Sequence, residues 1–147
     1  MAYWLLKTEP EQYAFEDLLR DGVTAWTGVR NAQAQANMRA MKEGDRAVVY
    51  HSGEKRAVGI AEVVRTAYPD PTASDGDLVC VGVRALAPLP APVPLEALKL
   101  EAAFAGSALV RQGRLSVVPL SPAEWRDLVG LAEIIAKTGG LGHEQRF

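Results

Sequence analysis

Two valine-rich runs set the architecture open to this chain. Arg46–His51 (RAVVYH) and residues 57–66 (AVGIAEVVRT) are each too short and too β-branched for a helix. The glycine-bearing segment Ser52-Gly-Glu-Lys55 lies between them. Apolar runs of this length on either side of a turn predict an antiparallel hairpin. Further strands are expected at residues 2–7, with bulk on both faces, at residues 78–86, which hold Cys80 in a core position, and at Val117–Leu120. Phe15–Asp21 reads as a short helix stopped at Gly22. Asn31 can cap a helix running through about Met41, with Ala34, Met38 and Met41 on one face. Ser121-Pro-Ala-Glu124 starts another, with Ser as N-cap, Pro at N1 and Glu at N3, and carries Trp125, Leu128 and Val129 toward a core. Residues 42–45 read as a turn, 68–77 as a loop, 88–94 as a rigid connection and Leu95–Leu98 as one helical turn. Strands outnumber helices, so the expected class is α+β in a single domain.

Composition excludes several function classes. A chain of 147 residues, 48% hydrophobic and 23% charged, has the balance of an ordinary globular domain. No apolar run approaches the roughly 20 residues of a membrane span, and the start of the chain lacks a basic leader and a long apolar stretch. One cysteine, Cys80, cannot form an internal disulfide, which makes the cytoplasm the expected compartment. With one cysteine and two distant histidines, His51 and His143, neither a zinc site nor another cofactor is expected. The net charge of −2 argues against a protein that coats nucleic acid indiscriminately. Residues 30–65 nevertheless carry seven basic side chains against four acidic ones. That excess suits a small anionic partner or a short stretch of nucleic acid; a solvated mixed-charge surface would look the same.

The run Leu109-Val-Arg-Gln-Gly-Arg-Leu-Ser-Val117 sets Arg111 and Arg114 three residues apart around a glycine. They are the only charged residues between Glu101 and Glu124. Planar guanidinium forks without a neighbouring carboxylate suit phosphate or a base edge, and two solvated turn arginines are the plain alternative. Catalytic signatures are missing: there is no nucleophile elbow, P-loop, dinucleotide fingerprint or H-E-x-x-H. His51 and Ser52 are strand neighbours facing opposite ways, so they make no dyad. Lys7, Thr8 and Glu9 at a strand end are an acid–base group only if buried. Trp26, read as a loop residue before Gly28, Arg30 and Asn31, either stacks on a planar ligand or folds back into the core.

Several segments together carry a resemblance. Tyr3-Trp-Leu-Leu-Lys-Thr-Glu-Pro10, Trp26-Thr-Gly-Val-Arg-Asn31, Met41-Lys-Glu-Gly-Asp45, Tyr50-His-Ser52, Val58-Gly-Ile-Ala-Glu-Val63, Ala67-Tyr-Pro-Asp-Pro-Thr72 and the Leu109–Val117 run follow one another, with Glu124-Trp125 near the end. In this order they resemble the EVE domain, in a stand-alone bacterial form similar to the thymocyte nuclear protein 1 family. The resemblance implies a domain over residues 2–130 with a PUA-like mixed, curved β-barrel and short helices around it; residues 131–147 read as a tail, loose from about residue 139.

The EVE family is related to YTH and ASCH domains, and the resemblance implies binding of DNA or RNA through a modified base, methylated or hydroxymethylated cytosine-like, without chemistry. Within the segments so marked, residue type suggests the roles. A flipped base needs a π surface, polar groups for its edge and cations for flanking phosphates. Trp26 would stack; Asn31, His51 and Ser52 would meet the base edge. Lys7, Arg30, Arg111 and Arg114 would hold phosphate or rim contacts, while Gln112, Leu115 and Ser116 shape the wall. The chain departs from the family pattern at Ala32, Gln35 and Ala36, which thin the basic helix, and at Thr27 and Leu78. Two other classes stay open: a small amidohydrolase on acylated cytidine, using Lys7, Thr8 and Glu9 or Glu62, and a protein-interaction module.

Overall fold

A computed structural model describes residues 1–74 and 76–144, the last six of these by their backbone alone. Six strands form one sheet: β1 (Tyr3–Thr8), β2 (Val23–Trp26), β3 (Arg46–His51), β4 (Arg56–Pro69), β5 (Val79–Pro94) and β6 (Val117–Leu120), in the order β2-β5-β4-β3-β1-β6. The hairpin expected from the valine-rich runs is β3–β4, antiparallel, with Val48 opposite Ile60. Strand β1 pairs parallel with β3 and antiparallel with β6, so the chain's first strand is interior to the sheet and buried on both faces at Leu5 and Leu6.

The helices follow their local signals. Helix α1 (Pro10–Tyr13) and helix α2 (Phe15–Asp21) succeed β1 directly. The Asp17 carboxylate accepts from the Ala14 N–H at 2.8 Å, and Gly22, at φ 78°, ends α2. Helix α3 (Ala32–Ala40) is capped by Asn31, whose side chain accepts from the Ala34 N–H at 2.9 Å. After the single turn α4 (Leu95–Leu98) and the short helix α5 (Ala108–Arg111) comes α6 (Pro122–Glu144). Its capping box is formed on both sides: the Ser121 N–H donates to Glu124 Oε1 at 2.8 Å, and the Glu124 N–H to Ser121 Oγ at 3.1 Å.

Three expectations are corrected. The sheet is open; no β2–β6 ladder closes it into the expected barrel. Helix α3 bridges the gap instead. Gln35 Nε2 donates to the Val29 and Val79 carbonyls, its Oε1 accepts from the Val79 N–H, and Asn37 Nδ2 donates to the Val117 carbonyl of edge strand β6 at 2.8 Å. Side-chain amides thus satisfy backbone groups around the gap, among them a carbonyl of edge strand β6. Residues 88–94 are the distal part of β5 rather than a connection. There β4 lies on one side only, because β2 reaches no further along β5 than Arg84, so the missing proline N–H groups cost no ladder on the free side. Trp26 is the last residue of strand β2, opposite Val81, and not a loop residue. The backbone of the expected tail, from 131 to Glu144, continues α6. The end of that tail, residues 145–147, lies outside the described residues, and so does the side chain of His143.

The core packs between sheet and helices around Phe15, Leu18, Met38, Phe104, Leu109 and Leu128, all essentially buried. Gly59 in β4 lets the Phe15 ring lie against the sheet: a Cβ there would meet three ring atoms at 2.3–2.4 Å. Gly59→Ala should cost about 1–3 kcal/mol, the range for forced overpacking, read as a lower denaturation midpoint at unchanged slope. An unaltered midpoint would mean that Phe15 repacks freely.

Candidate functional site

Where a barrel would close, the structure has a cleft of about 610 Å³. One wall is β2 with the segment after it, from Thr24 to Arg30. The other is the end of β1 with Gly113, Arg114 and Ser116, which lead into β6. Glu9, Gln12 and Tyr13 of the β1–α1 junction and Ser52 after β3 complete the lining. The backbone explains the convergence: the Lys7 N–H donates to the Ser116 carbonyl and the Ser52 N–H to the Thr8 carbonyl, tying both of those segments to the end of β1.

Trp26 is 7% exposed and belongs to the core, with its ring set edge-on to Tyr13 at 6.3 Å between centroids, yet it also forms part of the cleft wall. Trp26 is thus a core residue with one side bordering the cleft. Lys7 Nζ donates to the Gly113 carbonyl at 2.9 Å and lies 5.8 Å from the centre of the Tyr50 ring. Burial pushes its ammonium below the ordinary lysine range. Arg30 is half exposed and reaches Asp70 at 3.7 Å. Arg114 is exposed, with no ion pair among the described residues. The cleft thus gathers three cations around one aromatic wall.

Asp70 holds the Trp26–Arg30 wall in place. Its side chain is buried and accepts from the Gly28 N–H at 2.9 Å and from the Thr72 N–H and hydroxyl at 2.7 Å each. Burial pushes this carboxyl up, but the Thr72 and Gly28 donors and Arg30 outweigh it and hold the group below its usual range. Gly28, at φ 83°, takes the left-handed turn that swings the chain from β2 toward α3.

Of the residues singled out in the sequence, Trp26, Arg30, Ser52, Lys7, Ser116 and Arg114 line the cleft. Five others do not. Asn31 is spent on capping α3. His51 is buried away from the cleft: its Nε2 accepts from the Phe15 N–H at 3.0 Å, which leaves Nδ1 to donate to Glu54 at 2.8 Å. Leu115 is a core residue, Gln112 ends α5, and Arg111 is an exposed last residue of that helix. A strand period puts His51 and Ser52 on opposite sides, so only one of them could face the cleft. Sequence reasoning left out Thr24, Gln12 and Tyr13, which carry no motif of their own. Glu62, weighed as a catalytic acid, is bound by Arg46 at 2.7 Å and by Arg84 outside the cleft. Among the described residues no group of acidic, histidine or cysteine side chains could hold a metal ion, and no helix is long and apolar enough to cross a membrane.

The EVE domain family model matches residues 2–131. The chain belongs to the EVE-domain family. Rpa0253 from Rhodopseudomonas palustris, solved by NMR, is 45% identical with a TM-score of 0.85, over 92% of this chain and 95% of that one. The human THYN1 protein, crystallised with DNA containing 5-methylcytosine, is 30% identical with a TM-score of 0.81, over 90% of this chain and 98% of that one. Chicken thymocyte nuclear protein 1 is 44% identical over 86 residues, 50% of this chain and 36% of that protein. The matched stretch is little more than a third of that relative's length.

Proposed function

We propose that the EVE-domain cleft receives one modified base of a nucleic acid, of the methylcytosine type, flipped out of its strand. The observation that carries this reading is the cleft itself. An aromatic wall at Trp26 faces the Lys7, Ser116 and Arg114 side, and the cations Lys7, Arg30 and Arg114 surround it. Extrusion of a base needs a stacking partner, polar groups for its edge and positive charge for the phosphates on either side. The human relative crystallised with 5-methylcytosine DNA supports the same ligand class.

The test is fluorescence titration with short oligonucleotides carrying one modified cytosine each, beside unmodified controls. Trp4 is tied to Asp45 and Trp125 stacks on Tyr3 at 4.6 Å, so a quench on binding reports on Trp26. Because Trp26 is also a core residue, Trp26→Leu is the informative variant: it keeps apolar volume and removes the π face. It should lose about 1–3 kcal/mol of affinity, the range for one stacked base. Binding equal to wild type in a folded Trp26→Leu protein would exclude stacking.

Arg114→Ala should weaken binding to every sequence alike and reduce the salt slope by about one, the mark of one phosphate contact, while Arg111→Ala should change little. Equal effects at both positions would place the contact on the rim outside the cleft.

Hydrolysis of an acylated cytidine is the second reading, since Lys7, Thr8 and Glu9 do converge here. The Thr8 hydroxyl, however, donates to the Tyr13 carbonyl at 2.7 Å, which favours binding over turnover. Release of acetate from N4-acetylcytidine would reverse that order.

A further inference from the structure

We infer that Glu9 is the residue by which the cleft tells 5-methylcytosine from thymine, with Ser52 as its positioning residue. This rests on the reading of the cleft as a base pocket. The two bases carry the same C5 methyl, so neither shape nor stacking separates them. They differ at C4 and N3: cytosine presents an N4 amine donor and an N3 acceptor, and thymine an O4 acceptor and an N3–H donor. A site that prefers cytosine must therefore place an acceptor opposite C4 and a donor beside it.

The end of β1 supplies that pair. Glu9 keeps an extended backbone, φ −79° and ψ 124°, directly after the last strand residue Thr8. The period-two alternation of the strand therefore continues and brings Lys7 and Glu9 to the same side, about 7 Å apart along the chain. Both line the cleft, where Glu9 is the carboxylate among the described lining residues. Lys7 spends one proton on the Gly113 carbonyl and has two left.

The Glu9 carboxylate is held rather than free. Ser52 Oγ donates to its Oε1 at 2.6 Å. Its Oε2 lies against Gly53, where even a Cβ would come within 2.9 Å. Oε2 has no hydrogen bond among the described residues, which leaves it the open acceptor of this cleft-lining side chain. An N4 amine fits this oxygen, with the N3 and O2 acceptors toward Lys7. A thymine O4 in the same place would set oxygen against carboxylate, with neither group paired.

The experiment compares oligonucleotides differing at one position, 5-methylcytosine or thymine, unpaired in both cases, against the wild type, Glu9→Gln and Ser52→Ala, with thermal melting to confirm that each variant folds. The wild type should favour 5-methylcytosine about ten- to a hundredfold, the worth of a charge-assisted hydrogen bond. In Glu9→Gln, the Ser52 hydroxyl still claims Oε1 and turns the amide NH2 toward the base, so the preference should vanish or invert toward thymine. Ser52→Ala should shrink the preference while leaving binding of 5-methylcytosine measurable.

A folded Glu9→Gln protein that still prefers 5-methylcytosine by the wild-type factor overturns the inference and leaves the base pocket standing. A wild type that binds neither oligonucleotide above an unmodified control overturns the pocket, and this inference with it.

Discussion

Asp45→Ala should lower the stability of the domain by about 3–5 kcal/mol, roughly 10 °C in Tm for a chain of this size. The side chain is buried in the turn before β3 and gathers three donors: the Trp4 indole at 3.0 Å, the Ala2 N–H at 3.1 Å and the Lys42 N–H at 3.0 Å. Truncation leaves all three donors without this acceptor, and the Trp4 indole N–H among them is buried. Burial pushes the Asp45 carboxyl up, but the Trp4, Lys42 and Ala2 donors outweigh it and hold the group below its usual range.

The sign of the pH dependence follows. The folded-state value lies below the unfolded one of about 3.9, so the stabilisation is fully present above that pH and is lost as pH falls through the folded value. Wild type should therefore lose Tm steeply below about pH 4, and Asp45→Ala should lose less over the same range. Thermal melts from pH 2 to pH 7 check both points. Parallel curves for the two proteins would mean that the carboxylate is not the charged centre of this turn.

Asp70→Ala should act on stability and on the site together. Its buried carboxylate accepts from Gly28, the residue that turns the chain between the Trp26 strand and Arg30, and sits beside the Arg30 guanidinium. Losing these bonds and the two from Thr72 should cost about 2–4 kcal/mol of stability. Affinity for a modified oligonucleotide should fall as well, because the wall that carries Trp26 and Arg30 loses its anchor. Asp70→Asn keeps an acceptor oxygen and should recover part of both losses. Melts and titrations on the same samples separate the effects: unchanged affinity in a destabilised Asp70→Ala protein would show that the wall holds its shape without this residue. The Asp70 carboxyl too lies below its usual range, so its contribution is likewise lost only as pH falls through the folded value.

The elements that were legible in the sequence are those whose signal is local. The Ser121–Glu124 capping box, the Asn31 cap and the valine-rich β3–β4 hairpin are each determined by residues within a few positions of one another. Strand β2 was missed because four residues with Thr and Ala carry almost no periodic signal, and it exists by pairing with β5, some sixty residues away in the chain. The proline-rich end of β5 was misread for the opposite reason. Its local signal is strong, and what overrides it is that this stretch has a neighbour on one side only.

The site divides along the same line. From its sequence alone this chain had its family, its helix caps, its hairpin and several of the residue types that line the cleft. Side-chain chemistry and short-range spacing are properties of the chain itself. Only the tertiary structure decided which of those residues meet. Lys7, Trp26, Ser52 and Arg114 come from four separate segments and converge because β1 lies beside both β3 and β6 while β2 ends across the gap from them. His51 and Asn31 carry equally suitable chemistry, yet the fold spends the first on Phe15 and Glu54 and the second on capping α3. Whether a polar group is left over for a ligand depends on which buried backbone groups need it first, and that is settled only when the chain is packed.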